Sequence, residues 1–132
     1  MSKKDDNHYL VDMLVNAQLV SESVRDVTRE QFDTDREKQD SIAFRISILG
    51  EAARYVSEAT RQQIPQLPWP KVTGMRHRIA HEYAEIDLDI VWRVATVYVP
   101  ELLPAITTYL NDAGVGPDSV GSIAPDSNAP KS

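Results

Sequence analysis

Apolar residues recur at steps of three and four through most of this chain, and no segment alternates them at the period of two that a strand requires. That pattern restricts the fold to helices packed on one another. In the first segment Leu10, Met13, Leu14, Ala17, Val20, Val24 and Val27 form one stripe, which predicts a helix from about Asp6 to Thr28 with Asp5, Asp6 and Asn7 as caps. A second helix, opened by Asp33 or Thr34 with Glu37 near the capping-box position, is expected to run to about Gln63 without an internal proline and to be the longest element. It carries two stripes. Ile42, Ile46, Leu49, Ala53 and Val56 lie on one side, and Phe44, Ile48, Ala52, Tyr55 and Ala59 lie roughly 200° around the axis. Both sides want covering, either by bundle neighbours or, for part of one stripe, by a second protomer.

The stretch "IPQLPWPKVTG" interrupts this pattern, because three prolines within six residues cannot continue a helix. Pro70 can open the next one at its first turn, and a short helix is expected from roughly Pro70 to Ala80. The periodicity then restarts behind Asp87, a plausible cap, with Val91, Val94, Ala95, Tyr98, Leu102, Ile106 and Tyr109 as its stripe. Pro100 removes an amide donor and crowds the carbonyl of Thr96, so a kink or split is expected near Val99. The last segment, "AGVGPDSVGSIAPDSNAPKS", holds three Gly, three Pro and four Ser with few apolar residues, and reads as a disordered tail. The expected architecture is an all-α bundle of four or five helices over residues 1–112, followed by a tail over 113–132.

Composition narrows the functional classes. With 132 residues, 42% of them hydrophobic, the chain fits one domain with an ordinary core. There is no cysteine, which excludes disulfides, thiolate metal sites and thiol nucleophiles. The start "MSKKDDNHYLVDML" reads as neither a signal peptide nor a membrane span, so a soluble, cytoplasmic protein is expected. A net charge of −6 argues against coating nucleic acid with the whole surface, and any contact with RNA must be local. The charge distribution permits such a patch. From Ala59 to His81 there is no Asp or Glu, while Arg61, Lys71, Arg76, His77, Arg78 and His81 all fall inside.

That patch culminates in "MRHRIAHEY", Met75 to Tyr83. On a continuous helix His77 and His81 would stand about 40° apart, suitable for one metal ion, but no third ligand completes a recognised constellation and no metal is expected. Composition alone favours a solvated basic helix face with His81 and Tyr83 packed at its end. A regular helix would separate Arg76 from His81 by about 140° and His81 from Tyr83 by about 200°. If the helix ends near Ala80 and the chain extends, His81 and Tyr83 fall on one side and can share a cleft mouth with Arg76.

Arg76, four residues, His81, one residue and Tyr83 resemble the R-x4-H-x-Y motif of HepT-like toxins in the HEPN superfamily of helical ribonucleases. The blocks "RISILGEAARYVSE", "IPQLPWPKVTGMRHRIAHEY" and "IDLDIVWRVATVYVPELLPAI" are similar to that family's successive segments, over about Tyr9 to Leu110. His77 departs from the commonest form, which has Asn after the Arg. The resemblance implies a homodimer of helical bundles with two motifs facing each other across a cleft, acting as a metal-independent endoribonuclease without a cofactor. It also implies a partner antitoxin, a minimal nucleotidyltransferase of the MNT type, that transfers AMP to the motif's tyrosine, here Tyr83.

The roles follow from chemistry once RNA is the substrate. Cleavage without a metal needs proton transfer and stabilisation of charge on a five-coordinate phosphorus. His81 suits the acid–base role because imidazole titrates near neutrality, and Arg76 suits the clamp because guanidinium binds phosphate oxygens as a fork. Lys71, His77 and Arg78 are expected to bind or steer RNA. Arg45 and Glu51 read as surface pairing, Trp69 and Trp92 as core or interface anchors, and His8 carries no signal. The rival function is a catalytically silent helical module that docks the transferase.

Overall fold

The computed structural model describes residues 3–75 and 87–115, with side chains from residue 6. Every regular element among them is helical, as the periodicity predicts. Helix α1 spans Lys3–Val24, α2 Arg29–Asp33, α3 Arg36–Arg54, α4 Glu58–Gln62 and α5 Trp69–Thr73. The chain then forms one helical run, Leu88–Asp112, made of α6 (Leu88–Arg93), a π-helical turn (Val94–Tyr98) and α7 (Val99–Asp112). Helix α1 packs chiefly on α3 and α7. Leu10, Met13, Ala17 and Val20 of α1 meet Ile42, Ile46 and Leu49 of α3 and Val99, Ile106 and Leu110 of the C-terminal run, all at most 1% exposed. Each large aliphatic side chain so buried contributes about 1.5–3 kcal/mol of transfer free energy. The C-terminal run is long and apolar enough to cross a membrane, but one face of it is spent on this core.

Local capping chemistry overrides the apolar stripe at several boundaries. Helix α1 stops at Val24, short of Thr28, and the chain reverses through Asp26, whose φ of 60° breaks any helix. Thr28 instead caps α2. The Gln31 N–H donates to its hydroxyl at 3.1 Å, and the Thr28 N–H donates to Gln31 Oε1 at 2.9 Å, a reciprocal capping box. Helix α3 opens at Asp35, later than the expected Asp33 or Thr34, because the Asp35 carboxylate accepts the Lys38 N–H at 3.0 Å. The buried Gln39 side chain donates to the carbonyls of Phe32 and Asp33, tying the end of α2 to α3.

The expected single helix to Gln63 is in fact two. Helix α3 ends at Arg54, and at 19 residues it is shorter than α1, with 22. The break is made by Asp6, expected as an α1 cap but buried inside that helix at 2% exposure. Its carboxylate accepts from the Ser57 hydroxyl at 2.5 Å, the Thr60 hydroxyl at 2.5 Å and the Ser57 N–H at 3.2 Å. Ser57 in turn caps α4 by accepting the Thr60 N–H. Burial raises the Asp6 pKa, but these three donors outweigh it and hold the carboxyl below its ordinary value.

Pro100 does disturb its helix, next to the expected position. The π-helical turn ends at Tyr98, and the Val99 N–H reaches back five residues to the Val94 carbonyl. The wider turn accommodates a proline that donates no hydrogen bond and crowds the preceding turn. Helix α7 closes through Gly114, whose φ of 86° lets the Val115 N–H donate to the Leu110 carbonyl at 2.8 Å. Val115 packs on the core, so the packed body extends past residue 112; the rest of the expected tail, residues 116–132, lies outside the described residues.

Candidate active site

The prolines of the interrupted stretch position the site's first wall. Pro68 and Pro70 flank the start of α5, and Trp69 between them is buried, its indole N–H donating to the Ile64 carbonyl at 3.1 Å. The Arg61 guanidinium covers the Trp69 ring at 5.4 Å from its centroid, and Arg61 also donates to the Ala53 carbonyl at 3.1 Å. Trp69 is therefore a core anchor, as the sequence indicates, and Trp92 likewise tilts against the buried Phe32 ring at 5.1 Å. With Trp69 fixed, α5 exposes Lys71 and, after Gly74, buries Met75. A Cβ on Gly74 would stand 3.2 Å from the Pro70 carbonyl oxygen, so the close turn here favours glycine.

The second wall is the start of the C-terminal run. Asp87 caps it as expected, accepting the Ile90 N–H at 3.2 Å. From that fixed start, Asp89, Ile90, Arg93, Val94 and Tyr98 line a cavity of about 240 Å³ together with Lys71 and Met75. The Lys71 ammonium lies 4.7 Å from the centroid of the Tyr98 ring. Asp89 accepts from Arg29 at 2.6 Å, and Arg29 also donates to Asp33 at 2.8 Å. These two carboxylates raise the Arg29 pKa further above its already high ordinary value. Among the described residues neither Lys71 nor Arg93 makes an ion pair, so the described lining carries two cations beside the one carboxylate of Asp89.

Of the residues singled out from sequence, Lys71 lies on this cavity. Arg76, His77, Arg78, His81 and Tyr83 lie outside the described residues, as do the outer part of the expected third helix and the His77/His81 pair weighed as metal ligands. The chain leaves the described structure just after Met75, on one cavity wall, and returns at Asp87, two residues before Asp89 on the other. The described residues flanking the motif-bearing segment are therefore Met75, on the cavity lining, and Asp87, two residues from Asp89 on that lining. Among the described residues no group of three or more His, Cys, Asp or Glu side chains gathers to hold a metal. Glu51 pairs with Arg54 at 3.1 Å, Arg45 donates to Asn16 at 3.4 Å, and His8 approaches Asp12 at 3.7 Å; none of these residues is among the described lining of the cavity.

Beside the apolar lining residues, Asp89, Arg93 and Tyr98 also fall outside the site candidates read from the sequence. Arg93 had a legible signal, a single cation within the apolar run "IVWRVATVY". Tyr98 had none, because its step along the helix reads as one more core position, and it does pack partly on the core.

The family model described as "Ribonuclease HepT-like" matches residues 13–108. A candidate RNase of Methanocaldococcus jannaschii is 30% identical over 102 residues, covering 77% of this chain and 94% of the relative. A probable ribonuclease HepT of Thermococcus cleftensis is 26% identical over 100 residues, covering 76% and 91%. A candidate RNase of Caldanaerobacter subterraneus is 28% identical over 94 residues, covering 71% and 84%. No solved structure matches the chain at a significant level.

Proposed function

The chain belongs to the HepT-like ribonuclease family, and on that premise we propose that it is the RNA-cleaving toxin of a toxin–antitoxin pair, cutting RNA without a metal ion. The observation that carries this reading is that Arg76, His81 and Tyr83 form an R-x4-H-x-Y motif inside the matched region. In the reaction a 2′-hydroxyl loses its proton to a base and its oxygen attacks the neighbouring phosphorus. The bond to the 5′-oxygen breaks, and that oxygen takes a proton from an acid. Arg76 holds the phosphate oxygens and stabilises the charge that accumulates on them. His81 transfers the protons. Lys71, His77 and Arg78 draw the RNA backbone toward the motif.

One histidine does not readily serve as base and acid in a single step, whereas a homodimer brings two. A face for such pairing is available on α1 and α3. Phe44 and Tyr55, from the second apolar stripe, are 61% and 45% exposed, and they border a groove of about 390 Å³ with Tyr9, Ile48 and Ala52. Tyr83 is the acceptor for AMP from a nucleotidyltransferase antitoxin of the MNT type. The added phosphate repels the substrate phosphate and the nucleoside occludes its path.

The test is incubation of the purified protein with labelled RNA in EDTA beside His81→Ala. Cleavage by the wild type alone is expected, leaving 2′,3′-cyclic phosphate and 5′-hydroxyl ends. Loss of an acid–base group costs about 10²–10⁴ in rate, so cutting by His81→Ala at the wild-type rate removes the assignment.

A further inference from the structure

We propose that the cavity between α5 and the C-terminal helical run is a base-binding subsite that holds one nucleobase of a single-stranded RNA beside the phosphate to be cut. The proposal rests on the ribonuclease reading above and adds to it a determinant of which RNA sequences are cut. At about 240 Å³ the cavity is smaller than the roughly 300–1,000 Å³ sites that enclose drug-sized ligands. It has room for a single ring system, not for a folded oligonucleotide.

Its walls have the composition a nucleotide asks for. Met75, Ile90 and Val94 supply apolar surface for the faces of a flat ring, and the Tyr98 ring supplies a stacking partner. Lys71 and Arg93, both exposed, stand on the same lining and suit the phosphates on either side of the base. Asp89, the carboxylate among the described lining residues, opposes an anion; Arg29, shared between Asp89 at 2.6 Å and Asp33 at 2.8 Å, offsets it in part, and Lys71 and Arg93 leave the described lining net positive. Lys71 covers the Tyr98 ring at 4.7 Å. An entering base competes for that ring face and releases the flexible ammonium toward phosphate.

Chain connectivity links the cavity to the motif-bearing segment. The segment from Arg76 to Ile86 begins directly after Met75 on one wall and ends just before Asp87, next to the other wall. A nucleotide seated here touches Met75, the residue that precedes Arg76 in the chain. Sequence-selective recognition of RNA depends mainly on unstacked bases inserted against aromatic rings, and the Tyr98 ring on the lining offers that contact.

The experiment measures binding of a short fluorescent 2′-O-methyl RNA, which lacks the attacking hydroxyl and stays intact, against a strand of the same backbone made abasic throughout. The wild type is expected to prefer the base-bearing strand by about tenfold, the worth of one stacked base. Tyr98→Leu should lose most of that preference, and Tyr98→Phe, which keeps the ring, should retain it. Arg93→Ala should weaken both strands equally and flatten the salt dependence. In parallel, the base preference beside the cut is mapped on mixed-sequence RNA, and Tyr98→Leu should erase it. Should Tyr98→Leu fail to fold by circular dichroism, Ile90→Trp, which fills the cavity, takes its place with the same expected loss. Equal binding of the two strands by a wild type that still cuts RNA overturns the subsite and leaves the ribonuclease reading standing. A wild type that neither binds nor cuts RNA removes both. Retained discrimination in a folded Tyr98→Leu or Ile90→Trp also overturns the subsite.

Discussion

Asp6 accepts hydrogen bonds from Ser57 and Thr60, residues more than fifty positions away in the chain, and so joins the first helix to the break between α3 and α4. Replacing it by alanine leaves two hydroxyls and an amide without their acceptor, at a cost of roughly 1–3 kcal/mol by urea unfolding at neutral pH. The sign of the pH dependence follows from the depressed pKa. The stabilisation is complete above the unfolded carboxyl value of about 4 and disappears as pH falls through the lower folded value. The gap between wild type and Asp6→Ala should therefore close in acid, and a constant gap would show that the charge contributes nothing. At the motif, Arg76→Lys keeps the charge but loses the bidentate fork, and severe loss of cleavage is expected in a purified assay; wild-type turnover would count against a clamp. Tyr83→Phe keeps the ring and removes the acceptor oxygen. It should stay toxic in cells that co-express the cognate transferase, whereas silencing to the wild-type extent would show that AMP goes elsewhere.

At the scale of elements, helix α3 carries the most informative pattern. Its first stripe, Ile42, Ile46 and Leu49, is fully buried, while Phe44 on the second remains 61% exposed. Both stripes are apolar in sequence, and the packing of α1, α2, α5 and the C-terminal run on α3 makes them different. If the second stripe is the dimer face, Phe44→Asp places an unpaired charge in it, and sedimentation should show a monomer with unchanged helicity. A dimer that survives this substitution assigns pairing to another surface. The C-terminal run teaches a complementary lesson. Pro100 announces a disturbance from sequence alone, because a missing N–H is a local fact. The form it takes, a π-helical turn that leaves Tyr98 on the cavity wall, depends on how the run is held against α1 and the core.

For the whole molecule, a net charge of −6 means that any contact with nucleic acid has to be local, against a repulsive background. Lys71 and Arg93 come from segments separated by the motif itself, and folding sets both on one cavity. The all-α class was determined by the sequence, since periodicity of three and four over so much of the chain leaves no other way to bury the apolar residues. The R-x4-H-x-Y motif and the anchoring roles of Trp69 and Trp92 were legible there too, the first as a spacing and the others as large aromatic residues, one between prolines and one inside an apolar run. Tertiary structure decided the rest. It alone set where the second helix breaks, because the acceptor that captures Ser57 sits on α1. It decided which stripe of α3 is covered, because apolar faces are interchangeable until a neighbour packs on one. It also assembled Asp89, Arg93 and Tyr98 with Lys71, because a cavity belongs to the space between elements and has no signature within any one of them.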